Sequence, residues 1–119
     1  GHQTRPNIHI NDMTGVYLHF LELGEKAVGI YNAGFENTSI LDIANQVTQH
    51  VPAEIEITES NDPRSYRLNS EKLLGTGFKS ECCVDNAIKS LIDSFHSGKL
   101  EDEDRYYNIR TMKQLENLN

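Results

Sequence analysis

The sequence predicts an α/β fold in the form of an α+β fragment, and three observations carry that expectation. Short apolar or alternating runs are separated by single helix-period stripes in the order β-α-β-α-β-α-α, and strands spaced by helices favour α/β packing. Three short strands make a smaller sheet than the usual one and cannot cover themselves. The hydrophobic share is only 37%, with no Trp, against a usual apolar share of roughly 45–50% when Gly is counted; the 8 glycines bring this chain close to the low edge. A part of a larger fold has that profile, and so does a modest α+β domain. At 119 residues the chain is one domain at most.

The elements follow in order. Arg5-Pro6-Asn7-Ile8-His9-Ile10-Asn11-Asp12-Met13 reads as a strand carrying Ile8 and Ile10, then an Asn-Asp pair opening a helix. So structured a transition is unusual this close to a terminus, and we read it as the middle of a larger unit. Met13, Val16, Tyr17, Phe20, Leu21 and Leu23 form a stripe at spacings of three and four, with Asp12 as N-cap and Gly24 as the stop. Ala27-Val28-Gly29-Ile30-Tyr31-Asn32 is too short for a buried helix and predicts a buried strand. Ser39-Ile40-Leu41-Asp42 is a capping-box variant with Asp in place of Glu. It opens a helix carried by Ile40, Ile43, Ala44, Val47 and Val51 and ended by Pro52.

Glu54-Ile55-Glu56-Ile57-Thr58-Glu59 alternates as a half-exposed strand does. Residues 60–66 form a polar loop around the turn Asn61-Asp62-Pro63-Arg64. A short helix over Ser70-Glu71-Lys72-Leu73-Leu74 is stopped by Gly75 and Gly77. A longer one carries Val84, Ala87, Ile88, Leu91, Ile92 and Phe95, with Asp85 in its first turn, where an acid suits the helix dipole. Residues 101–104 read as an acidic linker, Tyr106-Tyr107-Asn108-Ile109 as a short extended segment, and residues 110–118 as a terminal helix.

Charge and cysteine content narrow the function classes. Acidic residues number 18 against 11 basic, a formal net charge of −7, which argues against general nucleic-acid or membrane-surface binding, since both need a basic face. An anion bound here is held by a few local arginines. Cys82 and Cys83 are the only cysteines. Adjacent cysteines rarely bridge each other, and two make neither a disulfide framework nor a zinc site; we read them as reduced thiols of a cytoplasmic protein. We expect no signal peptide and no membrane span, since no apolar run nears roughly 20 residues. Gly1-His2 reads as a tag remnant, residues 3–100 as the folded lobe, and 101–119 as an acidic linker with a terminal segment.

Four stretches, in order, resemble one family. Arg5-Pro6-Asn7-Ile8-His9-Ile10-Asn11-Asp12 is similar to an R-x-x-I-H-V-x-D strand-to-helix segment, and Gly29-Ile30-Tyr31-Asn32-Ala33-Gly34 to a Y-N-x-G strand end. Ser39 to Ala44 is similar to an S-[IV]-x-[ED]-[IL]-A helix start. Asp62-Pro63-Arg64-Ser65-Tyr66-Arg67, with Ser70-Glu71-Lys72-Leu73 and Gly77-Phe78, is similar to a phosphate-side loop and the helix after it. Over residues 3 to about 98 the chain resembles the C-terminal part of an NAD-dependent epimerase/dehydratase of the extended short-chain dehydrogenase/reductase superfamily.

The resemblance implies the substrate-binding lobe of a Rossmann-type enzyme without its cofactor-binding half. Its implied ligand is a nucleotide-diphosphate sugar, and its implied partner is an N-terminal Rossmann domain. The family arginine that opens the first segment contacts the substrate diphosphate, which carries over to Arg5. Where many relatives place the second arginine this chain has Glu59; Arg64 and Arg67 are the nearby candidates, and Arg64, in the turn itself, is our choice. Asp62 and His9 complete the candidate substrate-binding set, although His9 also reads as a structural histidine, Arg5 as a solvated terminal charge, and Arg64 as a surface ion pair with Asp62, Glu59 or Glu56. Arginine suits a diphosphate because its planar fork donates to two oxygens at once.

The family's catalytic parts have no match here. No G-x-x-G-x-x-G turn follows a first strand to cradle the pyrophosphate of NAD, and no Tyr is followed four residues later by Lys. The expected parent is an NAD-dependent enzyme, and this chain alone is not catalytically competent; we assign it no catalytic, cofactor-binding or metal-binding residue. The alternatives are a stand-alone nucleotide- or anion-binding module and an oligomerisation module, so a homo-oligomer is a further expected partner state.

Overall fold

A computed structural model of the chain describes residues 1–59 and 62–116, and they fall into two compact units, Gly1–Lys89 and Ser90–Asn119. Ser60 and Asn61 of the predicted turn, and Asn117 and Leu118 of the predicted terminal helix, lie outside the described residues. The content is mixed helix and strand, as an α+β fragment requires.

In the first unit, β1 (Thr4–Asn7) pairs antiparallel with β2 (Glu36–Ser39), with Arg5 opposite Thr38 and Pro6 opposite Asn37. Helix α1 (Ile10–Leu23) follows β1. The strand thus ends before Ile8, and Ile10 belongs to the helix. The cap is His9 rather than Asp12: its backbone is extended (φ −70°, ψ 145°), and its Nδ1 accepts the Asn11 amide at 3.1 Å. Asp12 is freed from capping because it has better partners elsewhere. Its buried carboxylate accepts the Ser80 hydroxyl at 2.7 Å and the amides of Glu81 and Cys82 at 3.0 and 3.1 Å. Burial pushes this carboxyl up, but the Glu81 amide, the Ser80 hydroxyl and the Cys82 amide together pull it below the ordinary aspartate value. At Gly24, φ is 55°, left-handed backbone that glycine adopts without a Cβ penalty, and α1 ends there.

Residues 27–32 depart from expectation. They pair with no other strand among the described residues, where the sheet is two-stranded. Val28 and Ile30 stand 82% and 88% exposed. Period and composition mark a segment as able to join a sheet, but a strand exists only when a neighbour accepts its ladder. The segment is held from one side instead. Lys72 Nζ donates to the Ile30 carbonyl at 2.9 Å and sits 4.2 Å from the centre of the Tyr31 ring, which packs on Phe20 with centroids 4.7 Å apart. Residues 54–59 likewise form no strand among the described residues.

Helix α2 (Ile40–Thr48) starts as its sequence predicts. Ser39 is the N-cap, its hydroxyl accepting the Asp42 amide at 3.0 Å and donating to the Asp42 carboxylate at 2.6 Å. Helical turns run on to Val51, whose amide reaches the Val47 carbonyl, and Pro52 follows.

The polar segment between α2 and α3 (Glu71–Leu74) is sewn to the sheet largely by side chains. Thr4 N donates to Ser65 Oγ, Tyr66 N to the Thr4 carbonyl, and the Asn37 amide group both donates to and accepts from the Leu68 backbone. The buried Ser70 hydroxyl accepts the Gly34 amide and donates to the Gly34 carbonyl, both at 3.0 Å. A Cβ on Gly34 would lie 3.1 Å from Pro6 Cβ and 3.3 Å from Leu68 Cδ1, so a larger residue there requires those side chains to give way by a few tenths of an ångström. Leu73 of α3 is fully buried; Val16 and Ile88 are the other buried apolar side chains among the described residues.

Helix α4 (Val84–His96) begins in the first unit, where the Glu36 carboxylate accepts the Val84 amide at 2.6 Å. In the second unit, a 3₁₀ turn (Asp104–Tyr106) leads into α5 (Asn108–Glu116). The segment predicted as extended over residues 106–109 is therefore turn and helix. Arg110 explains the choice: helical spacing puts its guanidinium 3.9 Å over the Tyr107 ring and 2.8 Å from Asp104.

Two outcomes follow. Asp12→Ala leaves two amides of a tight corner unpaired and should cost about 1–3 kcal/mol, read from urea midpoints at pH 7. The folded carboxyl titrates below the ordinary value of 3.8, so its contribution is complete above that value and lost as pH falls through the folded value. The gap between wild type and variant should therefore narrow in acid; a pH-independent gap contradicts the charge-based account. Lys72→Met should leave helix content unchanged while amide hydrogen exchange quickens in residues 28–31.

Candidate functional site

The strongest convergence of charged side chains joins β1 to the loop after residue 61. Arg5 lies mid-strand opposite Thr38, so its side chain is aimed by the ladder rather than by a mobile terminus. Pro6 behind it restricts Arg5 to extended backbone. The guanidinium donates to Asp62 Oδ2 at 3.2 Å, to its neighbour's carbonyl at Thr4, and to the Arg64 carbonyl in a short contact. It also lies 5.3 Å from the centre of the Tyr66 ring, a cation–π position.

Arg64 approaches the same carboxylate from the other side. Its Nε and Nη2 donate to the two Asp62 oxygens, both at 2.8 Å, in the bidentate fork that carboxylates and phosphates share, and its own amide donates to Asp62 Oδ1. Asp62 is in turn fixed through its backbone, whose carbonyl accepts the Gln3 side-chain amide at 3.1 Å. The side chains differ in access: Arg5 is 22% exposed and Arg64 76%. The Arg64 hydrogen bonds, and then the Arg64 and Arg5 charges, hold the Asp62 carboxyl well below the usual aspartate range. The same carboxylate pushes the Arg64 guanidinium up.

Beside this pair lies an open cleft of about 400 Å³, lined by the polar or charged Gln3, Arg5, Glu56, Thr58 and Asp62 and by the apolar Ile40, Leu41, Ile55 and Ile57; Arg64 is not among its lining residues. An anion held at the arginines can thus carry an apolar or planar group along the α2 wall. Of the four candidate residues, the structure brings Arg5, Asp62 and Arg64 together and sets His9 apart, where it caps α1 and does not line the cleft. Arg67 lines a different hollow, with Phe35, Asn37, Leu68, Ser70, Glu71 and Leu74. Sequence reasoning missed Gln3, Thr58 and the ring contact of Tyr66. Gln3 and Thr58 carry no motif, and the Tyr66 contact depends on a pairing across 61 residues that no local pattern encodes.

Among the described residues no His, Cys, Asp and Glu group is placed to hold a metal ion, and no helix is long and apolar enough to cross a membrane.

No protein-family model matches the chain. The chain is similar to an anthocyanidin reductase from Arabidopsis thaliana, 30% identical over 96 residues, a match that covers 78% of this chain and 28% of that protein. The chain thus spans 28% of the length of the curated relative it matches. The likeness supports the short-chain dehydrogenase/reductase resemblance at superfamily level and goes no finer.

The geometry predicts an asymmetric titration. Followed by carboxyl NMR, Asp62 should titrate below the usual aspartate range. Arg64→Ala should restore more of the shift than Arg5→Ala, because it removes the two-bond fork, while the residue-64 backbone amide that alanine keeps holds part of the shift in place. Equal restoration by the two variants contradicts the arrangement.

Proposed function

We propose that this chain supplies substrate-side structure to a nicotinamide-dependent reductase or epimerase of the short-chain dehydrogenase/reductase type, and that Arg5 and Arg64 grip the diphosphate of a nucleotide-linked substrate. One observation carries the reading: two guanidiniums from segments 59 residues apart converge on one carboxylate, and that carboxylate and Arg5 line a cleft. The likeness to a reductase supports the enzyme class.

Asp62 sets the spacing of the two guanidiniums. With it the trio carries one net positive charge, so a phosphate is attracted while the part-buried Arg5 keeps a partner in the empty site. Arg64, the more exposed of the two, meets the anion first through the guanidinium N–H groups not directed at Asp62, and Arg5, in cation–π contact with Tyr66, fixes it. Gln3 and Thr58 offer neutral polar contacts beside it, and the apolar α2 wall takes the nucleoside or sugar.

The chemistry of this class is hydride transfer by the nicotinamide cofactor, which the protein orients. The residues here provide binding and positioning for that step. The exposed, unpaired run 27–32 supports a sheet-bearing partner, a Rossmann domain, accepting this segment as a further strand.

Calorimetric titration of the full-length protein with UDP and dTDP tests the grip. Arg5→Ala and Arg64→Ala should each weaken diphosphate binding roughly 10–100-fold, the value of a charge-assisted hydrogen bond. Unchanged affinity in both variants overturns the proposal.

A further inference from the structure

The adjacent thiols of Cys82 and Cys83 stand outside the anion site, and nothing in the proposed function uses them. Both are part-exposed and reduced. They occupy the bend that enters α4, and each is anchored through its backbone. The Cys82 amide donates to the buried Asp12 carboxylate at 3.1 Å, and the Cys83 amide donates to Asn86 Oδ1 at 2.8 Å. The Cys83 thiol donates to that same oxygen at 2.9 Å. The two thiols belong to consecutive residues of the same bend. Burial first, then the charges of Asp12, Glu81 and Cys83, push the Cys82 thiol up. On the other side the Lys89 ammonium, bonded to Asp85 at 2.6 Å, lies within the field of Cys83.

Which chemistry fits follows from geometry. A direct disulfide is poorly matched, because neighbouring Cα atoms are about 3.8 Å apart across a trans peptide, against about 4.4–6.8 Å in ordinary disulfides. Zinc needs four ligands, and among the described residues no third His, Cys, Asp or Glu is placed to join the pair. The remaining match is a soft centre that needs two sulfurs, brings its own third substituent, and widens the ring between them.

We propose that Cys82 and Cys83 form a vicinal-dithiol site for a monosubstituted trivalent arsenical or a thiophile of the same valence. The step is a condensation without redox change. Two S–H bonds and the As–O bonds of an organoarsenic oxide break, two As–S bonds form, and the oxygen leaves with both protons as water. The Cys83 thiol gives up Asn86 on closing the ring. Both backbone amides keep their partners, so the α1–α4 corner stays in place.

The probe is phenylarsine oxide added to the full chain, with intact mass read after challenge by excess glutathione and then by 2,3-dimercaptopropanol. One phenylarsenic group per chain should survive the monothiol and be removed by the dithiol. Cys82→Ser and Cys83→Ser should each drop monothiol-resistant retention to background with unchanged circular dichroism. Cys82→Ala and Cys83→Ala run in parallel, so that a folding failure of one pair leaves the other decisive. Loss of the adduct to glutathione in the wild type, or its retention in any folded single variant, overturns the proposal.

Discussion

The buried carboxylate of Asp12 is the constraint on which the arrangement of the first unit depends. A charge at 5% exposure is tolerated only when fully hydrogen-bonded, and here one hydroxyl and two amides meet it from residues 80–82. That contact closes a loop of nearly seventy residues between the first turn of α1 and the entrance of α4. It also explains why α1 starts where it does. With Asp12 drawn inward, capping passes to His9, and β1 must end before Ile8. The helix that follows the Arg5 strand is therefore anchored by a carboxylate in its own first turn.

A second theme is the small apolar core. Val16, Leu73 and Ile88 are buried, while Tyr17, Leu21, Val28 and Ile30 face outward. Side chain-to-backbone hydrogen bonds at Ser65, Asn37 and Ser70 do much of the joining between the polar segment and the sheet. Such bonds are directional, each contributing about 0.5–1.5 kcal/mol. They specify register more than they add stability. This suits a site in which two arginines from distant segments must reach one carboxylate.

The candidate site was legible in part. Arg5, Asp62 and Arg64 can be named from local motifs, because turn chemistry and the strand-to-helix segment are short-range patterns. The Asp62–Arg64 pair is local, two residues apart, but the arrival of Arg5 cannot be read locally, since it depends on the Thr4–Tyr66 and Gln3–Asp62 bonds across some sixty residues. His9 shows the opposite case. Its place in the motif suggests a ligand contact, and its geometry makes it a helix cap.

By itself the sequence determined the helices over residues 40–48, 71–74 and 84–96, because capping side chains, stop residues and apolar period act within a few positions. It also determined the acidic balance and the residue types able to hold an anion. Tertiary structure alone decided which extended runs became strands, which residue capped α1, and which arginines converged. Residues 27–32 and 54–59 have the composition of strands, but hydrogen-bonded pairing is a property of two segments, and neither finds its neighbour among the described residues. Asp12 has the composition of a cap, but a buried cluster of donors competes for it and wins.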